Sequence, residues 1–430
     1  MDAATYQDYV NILHEELVPA MGCTEPIAIA YAAAVARQTL GRPAQRMEVE
    51  ASGNIIKNVK SVFVPNTGGL RGIPAAAAAG MAAGDPALEL EVLSSIGEGE
   101  QDAIRQYLAD TPIAVKLADS PFIFDIAIRA WAGEDSALVR IVNYHTNIVR
   151  VERNGQVLKE VEAQAAAEEG LTDKSVLTVE GILEFAREAA LADVEDAVGR
   201  QVRYNTAIAQ EGLRGDYGAN IGKVLLATYG DDVKIRAKAM AAAGSDARMN
   251  GCGLPVVIVS GSGNQGLTAS LPVVEYAKEL GADWETTLRA VLVSDLITIH
   301  LKAEIGRLSA YCGAVSAGCG SGAGIAWLYG REKEPQALLK DVSHTIVNAL
   351  AVDSGIVCDG AKASCAAKIA SAVDAGLLGF YMYQNGQQFR GGDGIISKGV
   401  EETIRNIGLL ATQGMRETDR EILDIMTTRC

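Results

Sequence analysis

Between Arg46 and about Leu158 the hydrophobic period of the chain switches from helical to strand-like, and that switch constrains the fold more than any other feature. Residues 5–40 place apolar side chains at helical spacing, broken at Pro19 and again at Pro26. Short strand-type runs follow: RMEVEA, KSVFVP, TPIAVKLA, FIFDIAIRAWA and ALVRIVNYHTNIVRVE, with a turn at Asn154-Gly155. Two helical stretches, near 72–84 and 98–109, lie among them. From Thr172 onward the spacing is helical again, with glycine-rich interruptions at 212–222, 244–253, 260–266, 318–324, 354–360 and 391–394, read as loops. The expected architecture is α+β. A mainly helical domain is formed by both chain ends (1–41 and 165–430), and an α+β domain (42–164) is inserted into it. The acidic EVEAQAAAEEG at 160–170 reads as a solvated helix or linker out of the insert.

The 430 residues exceed one ordinary core, which agrees with two domains or three. Only 5% of residues are aromatic while 49% are hydrophobic, so the apolar content is alanine-rich and suits close-packed helices better than a β-sandwich. Fifty-four acids against 38 bases give a net charge of −16 with no compensating basic tract, which argues against a nucleic-acid partner. A local site can still oppose that global field, so a small-molecule ligand fits. The apolar run PAAAAAGMAAG at 74–84 is well short of the roughly 20 residues that cross a bilayer, and MDAATYQDYVNIL is acidic and amphipathic rather than a secretory leader. Seven cysteines, an odd number without short-interval pairing, point to a reducing compartment, where thiols stay free or bind metal. The expectation is a cytoplasmic protein without a membrane.

Any single cysteine is ordinarily a small buried hydrophobe. Context separates some of these seven. Cys319 in SAGCGSGAG and Cys358 in VCDGAKASC stand in glycine-rich stretches, where packing of bulk is least needed. A continuous helix would hold Cys358 and Cys365 two turns apart, about 10 Å. Asp359-Gly360 can break the helix and fold Cys365 back toward Cys358. Cys312 and Cys319 repeat the same spacing, so a closed four-cysteine zinc site can also be drawn, although structural zinc takes closer pairs. Iron–sulfur clusters accept more varied spacing, and glycine-loop amides can donate to their sulfurs. Spacing alone leaves the two metals nearly even.

Gly318-Cys319-Gly320, Val357-Cys358-Asp359-Gly360 and Cys365 resemble the cluster-binding segment of the iron–sulfur L-serine dehydratases, with a shorter final gap. The chain is more similar, end to end, to the L-cysteine desulfidase family within the serine-dehydratase-like group. The shared runs are GCTEP at 22–26, SGNIIKNV at 52–59, PNTGG at 65–69 and SGSGNQG at 260–266, with the three cysteines at the shorter gap. The resemblance implies a 4Fe-4S cluster on Cys319, Cys358 and Cys365 with one open iron, and Cys23 as the active-site base. It implies β-elimination of L-cysteine to pyruvate, ammonia and hydrogen sulfide without pyridoxal phosphate, with L-serine or another β-substituted amino acid as the alternative substrate.

The residues themselves add to this. Cys23-Thr24-Glu25-Pro26 has the form of a helix start, with Thr24 suited to capping and a thiol that the helix dipole would help to ionise. Glu25 is grouped with the substrate-binding residues and is the next candidate for the base. The loop 261–266 is formally GxGxxG, but the segment after it has helical rather than strand spacing, which weakens a dinucleotide reading. The same backbone amides hold a carboxylate, so Ser262, Asn264 and Gln265 are expected to bind the substrate carboxylate. The polar run YNTAIAQEGLRGDYGANIG at 204–222 is a further candidate lining. His145, His300 and His344 read as structural, as do Cys252 and Cys312. An NAD-dependent enzyme and a zinc-stapled binding protein remain as other classes. The insert is open to an effector or dimerisation role, hence to a homo-oligomer. Cys430, with both a thiol and a terminal carboxylate, carries two groups of L-cysteine itself, so a tail reaching the site would mimic substrate, whereas termini are ordinarily solvated.

Overall fold

The computed structural model describes residues 1–164 and 171–428, so Cys430 and most of the 160–170 stretch lie outside the described residues. Helix α1 (Ala3–Glu16) is followed by β1 (Pro19–Met21) and α2 (Thr24–Leu40). After β2 (Arg46–Ala51) come α3 (Gly53–Val59), α4 (Gly72–Ala83) and α5 (Glu98–Asp110). Strands β3 (Ile113–Leu117), β4 (Asp125–Ala132), β5 (Asp135–Val142), β6 (Ile148–Arg153) and β7 (Gln156–Glu160) complete a six-stranded sheet of order β3-β2-β4-β5-β6-β7. Only β2 and β3 pair in parallel. The register aligns Val49, Ile128 and Val139 across three strands, with Met47, Ala130 and Ala137 beside them. That apolar face is buried against α2.

Helix α2 is buried on nearly every side because it lies between the sheet and α4. A Cβ at Gly80 of α4 would stand 2.0 Å from the Ala30 carbonyl, so the two helices cross with backbones nearly touching. The sequence reading grouped residues 1–41 with the C-terminal helices, yet α2 packs with the sheet layer. KSVFVP forms no strand. Its Phe63 makes an isolated bridge to Arg71. The long ALVRIVNYHTNIVRVE run is split into β5 and β6 by a turn that puts Asn143 at positive φ and carries His145.

The helical remainder runs α6 (Val179–Glu188), α7 (Leu191–Arg214), α8 (Ile221–Tyr229), α9 (Val233–Met249), β8 (Pro255–Val257), α10 (Gly263–Glu279), α11 (Trp284–Ile305), α12 (Gly313–Gly330), α13 (Pro335–Val352), α14 (Cys365–Gln384), α15 (Val400–Leu409) and α16 (Arg416–Thr428). Helix α12 is its axis, packed by α10, α11, α13 and α14. Glycines permit this. A Cβ on Gly318 would be 2.2 Å from the Ala372 carbonyl of α14, and one on Gly320 would be 2.2 Å from the Thr298 hydroxyl of α11. The 318–324 run is therefore a helix-packing surface inside α12, and 244–249 likewise lies within α9. Helix α14 has the length and composition of a membrane span, but half of its window is buried against neighbouring helices. One continuous apolar core joins the sheet layer to the helices.

Two devices aim the chain ends at one place. Strands β1 and β8 pair antiparallel, Pro19 opposite Val257, which sets the segment after β1 beside the segment after β8. Helix α16 docks on α3, where Asp419 accepts from Asn54 (2.8 Å) and pairs with the buried Lys57.

Candidate active site

Four helices, α2, α10, α12 and α14, begin at one cavity of about 110 Å³. Cys23, Ser262 and Cys312 precede the first three, Cys365 opens the fourth, and all four residues line the cavity. The first N–H groups of a helix lack partners within it and its dipole is positive there, so four such ends favour an anionic ligand. Arg248, Lys302, Arg307 and Lys368 line the same walls. A chain of net charge −16 thus holds a locally positive site.

The thiols come from three segments. Residues 310–312 pair with 356–358: the Cys312 N–H donates to the Ile356 carbonyl (2.9 Å) and the Cys358 N–H to the Ala310 carbonyl (2.7 Å), with Tyr311 opposite Val357. Cys312 and Cys358 are diagonal neighbours on one face of that pairing. The Cys312 thiol donates to Cys358, which raises Cys312 well above its ordinary range and brings Cys358 down to about 6, with Lys57 and the Gly360 amide assisting. Gly360 then turns the chain at φ +90, where a Cβ would meet the Lys57 carbonyl at 2.3 Å. After the turn Cys365 opens α14, its Sγ 3.8 Å from the Gly360 carbonyl and its thiol raised by burial. The helix has already ended at Val352, before Cys358, and the expected return of Cys365 on the first turn of the next helix is present.

Cys319 is elsewhere. It lies within α12, 2% exposed, and does not line the cavity. The cysteine read as structural, Cys312, takes its place beside Cys358 and Cys365. The physical reason is the glycine pattern around Cys319, which serves helix contact rather than loop flexibility. The four-thiol zinc arrangement is not formed, since Cys319 does not face the other three. Among the described residues no three His, Cys, Asp or Glu side chains gather closely enough for a single metal ion. Cys252 also lies outside the lining.

Cys23 lines the same cavity. It occupies the N-cap position of α2, but its side chain caps nothing. Its Sγ–H donates to Glu25 Oε2 (3.0 Å). Asn58 of α3 donates to Glu25 Oε1 (3.0 Å), and the Thr24 hydroxyl sits 3.2 Å from Oε2. Thr24, expected as a cap, is instead the first helical residue, and its hydroxyl bonds the Gly261 carbonyl (2.9 Å), tying α2 to the glycine loop. Burial and the Glu25 charge hold the Cys23 thiol well above its ordinary range, outweighing Arg248. The expected thiolate at a helix start is therefore a thiol at rest. Against its burial, Glu25 stays below the usual carboxylate range through His145 beside it and the hydrogen bond from Cys23. Burial pushes His145 down to about 4, so at neutral pH its support of Glu25 is polar rather than ionic.

The 260–266 loop begins α10 as expected, with Ser260 and Gly261 at positive φ. Strand β8 before it pairs antiparallel with β1, so no parallel βαβ unit surrounds it and the dinucleotide context is missing among the described residues. Asn264 Oδ1 accepts from Arg248 Nη1 (3.0 Å), which fixes the guanidinium against the helix start. Several buried polar atoms on the walls have no protein partner: Arg248 Nε, Gln265 Oε1, His145 Nε2, Asn58 Oδ1 and Tyr311 Oη. Buried polar groups are ordinarily satisfied, so this set marks a polar ligand site. Ser262, Asn264, Gln265 and Glu25 all line it, while the 204–222 run does not. His145, Arg248 and Asn58 were missed. Asn58 lies inside the quoted SGNIIKNV, whereas nothing local distinguishes Arg248 within α9.

A family model described as serine dehydratase alpha chain matches residues 87–424. The chain belongs to this family. The matched span includes Cys312, Cys358 and Cys365, whereas Cys23 and Glu25 precede it. Full-length similarity extends to a UPF0597 protein of Desulfitobacterium hafniense, 58% identical and covering 99% of this chain and 97% of the relative. A UPF0597 protein of Lachnoclostridium phytofermentans is 51% identical over 98% of this chain and 99% of its own. One from Aeromonas hydrophila is 38% identical over 99% and 97%. Membership makes this chain serine-dehydratase-like, in a lyase family.

Proposed function

We propose that the chain is an iron–sulfur lyase of β-substituted amino acids that needs no pyridoxal phosphate, with L-cysteine as substrate and pyruvate, ammonia and hydrogen sulfide as products. The observation that carries the reading is the convergence of Cys312, Cys358 and Cys365, from the paired 310–312 and 356–358 segments and the start of α14, on one positively biased cavity that Cys23 and Glu25 also line. Three thiols from separate segments suit a 4Fe-4S cluster better than a single ion, which would need them closer. The donor set fits, and it leaves one iron without a protein ligand among the described residues. Such a cluster supplies a Lewis acid that offsets substrate carboxylate charge and so makes the α-proton easier to remove.

The chain's own residues supply the rest. The amides opening α10 and Arg248, held by Asn264, receive the substrate carboxylate. Cys23, hydrogen-bonded to Glu25, is the base that removes the α-proton. Helix starts and cations on every side keep developing negative charge stable without reorganisation. The family description favours a second reading, in which L-serine is the substrate and water the leaving group.

The test is anaerobic purification, quantitation of iron and acid-labile sulfide, and pyruvate formation from L-cysteine against L-serine. About four irons and four sulfides per chain are expected for such a cluster, with faster turnover of cysteine and inactivation in air. Faster turnover of serine selects the dehydratase, and bound zinc without iron removes the cluster.

A further inference from the structure

We propose that Cys23 and Glu25 act as one proton-carrying pair, in which Glu25 takes the Cys23 proton and later delivers it to the leaving sulfur. The inference rests on the lyase reading of this site and assigns both its base and its acid.

The geometry starts with a contradiction. A base must have room for a proton, yet the Cys23 side chain is 2% exposed and its Sγ–H already points at Glu25 Oε2, 3.0 Å away. The acceptor is fixed on its far side by Asn58 at Oε1 and is approached by Thr24 at Oε2. A carboxylate gripped on both oxygens is a placed acceptor rather than a solvated surface charge. The charged and titratable groups around the pair come from several elements: His145 of the β5–β6 turn and Arg248 of α9 act on it directly, and Lys302 of α11 and Arg307 after it line the same cavity. Arg248, Lys302 and Arg307 supply positive charge near either member while His145 stays neutral, so the proton can shift along the bond without changing the net charge of the site.

The proton balance closes. At rest the pair is Cys23–SH and Glu25–COO⁻. When substrate binds, the proton passes from Sγ to Oε2, which leaves Cys23–S⁻ and Glu25–COOH. The thiolate removes the substrate α-proton, and the electrons of that C–H bond form Cα=Cβ. The Cβ–S bond breaks with its pair on sulfur, and the departing HS⁻ takes the Glu25 proton as hydrogen sulfide. Cys23–SH and Glu25–COO⁻ are restored, and aminoacrylate yields pyruvate and ammonia with water. No external acid, base or oxidant is needed. A lone thiol resting protonated would first have to lose its proton to solvent before acting as base.

The experiment uses iron-loaded enzyme purified anaerobically, with iron content and far-ultraviolet circular dichroism as controls. Cys23 alkylation by iodoacetamide is followed against pH by peptide mass. In E25Q the alkylation midpoint is expected to fall by about one pH unit or more, because the adjacent charge and strong acceptor are gone. Turnover in E25Q is expected to drop roughly 100-fold or more at similar KM. The double variant C23S/E25Q should be no slower than the worse single variant, since members of one unit are not additive. An unmoved midpoint, a turnover loss under about threefold, or multiplicative losses in the double variant would each overturn the pair. E25D, which keeps the charge one methylene further back, preserves the fold if E25Q does not. It is expected to turn over about tenfold slower than wild type, and wild-type turnover in it also overturns the pair. If wild-type enzyme yields no pyruvate from cysteine or serine, the lyase reading fails on its own, and the alkylation midpoint still decides the pair.

Discussion

Cys312 stands at the end of a backbone pairing that also holds Cys358, and Cys365 follows the Gly360 turn, so each thiol has a fixed place at one cavity. Cys312→Ala, Cys358→Ala and Cys365→Ala are each expected to lose the bound iron in anaerobic preparations. Cys319→Ala is expected to keep it and to cost only about 1 kcal/mol of packing. Iron retained in Cys312→Ala and lost in Cys319→Ala would reverse the assignment. Asp246 of α9 makes a second residue-scale test. It is buried, accepts the Gly222 N–H at 3.0 Å, and so caps α8 from a neighbouring helix. Burial pushes its carboxyl up from 3.8 to about 6. A carboxyl raised on folding favours the native state most below 3.8, and that contribution is lost as pH rises through about 6. Asp246→Asn keeps an acceptor and removes the charge. Its stability relative to wild type should therefore climb between those pH values and level off above them, as read by urea unfolding at a series of pH values. A pH-independent difference would show that Asp246 is not raised. The sequence singled out Cys358, Cys365 and Cys23, and the structure brings all three to one cavity. Cys312 rather than Cys319 lies beside them, and the sequence did not separate the two because glycine beside a cysteine means the same letters in a loop and in a helix contact. Only the tertiary partners Ala372 and Thr298 separate the two.

At the scale of elements, the site depends on where helices start, and the starts depend on how closely the helix bodies pack. Helices α12 and α14 each begin with a cavity thiol, and they cross where Gly318 and Gly376 each face the other helix's backbone. A Cβ on Gly376 would stand 2.1 Å from the Gly318 carbonyl. Gly318→Ala should force the helices apart at a cost of roughly 1–3 kcal/mol. It should also loosen iron binding, because Cys312 and Cys365 move with their helices. The checks are the urea midpoint and iron retained on gel filtration under chelator. An unchanged value of both would mean the crossing does not position the thiols. The quoted motifs meet in the same region for elementary reasons. GCTEP supplies Cys23 and Glu25, SGNIIKNV supplies Asn58 and Lys57, and the Gly22 α-carbon packs on Pro65 of PNTGG. Strand and helix periods were readable wherever one face meets the core, as in β2 and α6. KSVFVP looked like a strand by composition, but a strand needs a partner, and Phe63 finds only Arg71.

For the whole molecule, the position of the sheet strands between helical stretches of the chain was legible from the change of period, whereas the packing of α2 was not. An all-round alanine-rich helix such as α2 carries no stripe to show which layer it joins. It lies between the sheet and α4 while its first residue is bonded to the glycine loop that opens α10. The core continues from Val49, Ile128 and Val139 through Ile27 and Ile29 to Val257 and Leu267. Helix α16 closes the loop by bonding Lys57 and Asn54 of α3 from the far end of the sequence. Because one apolar cluster among the described residues joins the sheet layer to the helices, melting of the sheet layer is expected to take α2 and the cavity with it. Thermal unfolding followed at once by strand-sensitive infrared absorption, helix dichroism and calorimetry should give one coincident transition, with equal calorimetric and van't Hoff enthalpies. Bound cluster should move that single midpoint upward, since a ligand held only by the native state stabilises everything that unfolds with it. Two separated transitions, with the cluster raising only the later one, would show that the insert is an independent folding unit and that α2 is its edge rather than the joint between layers.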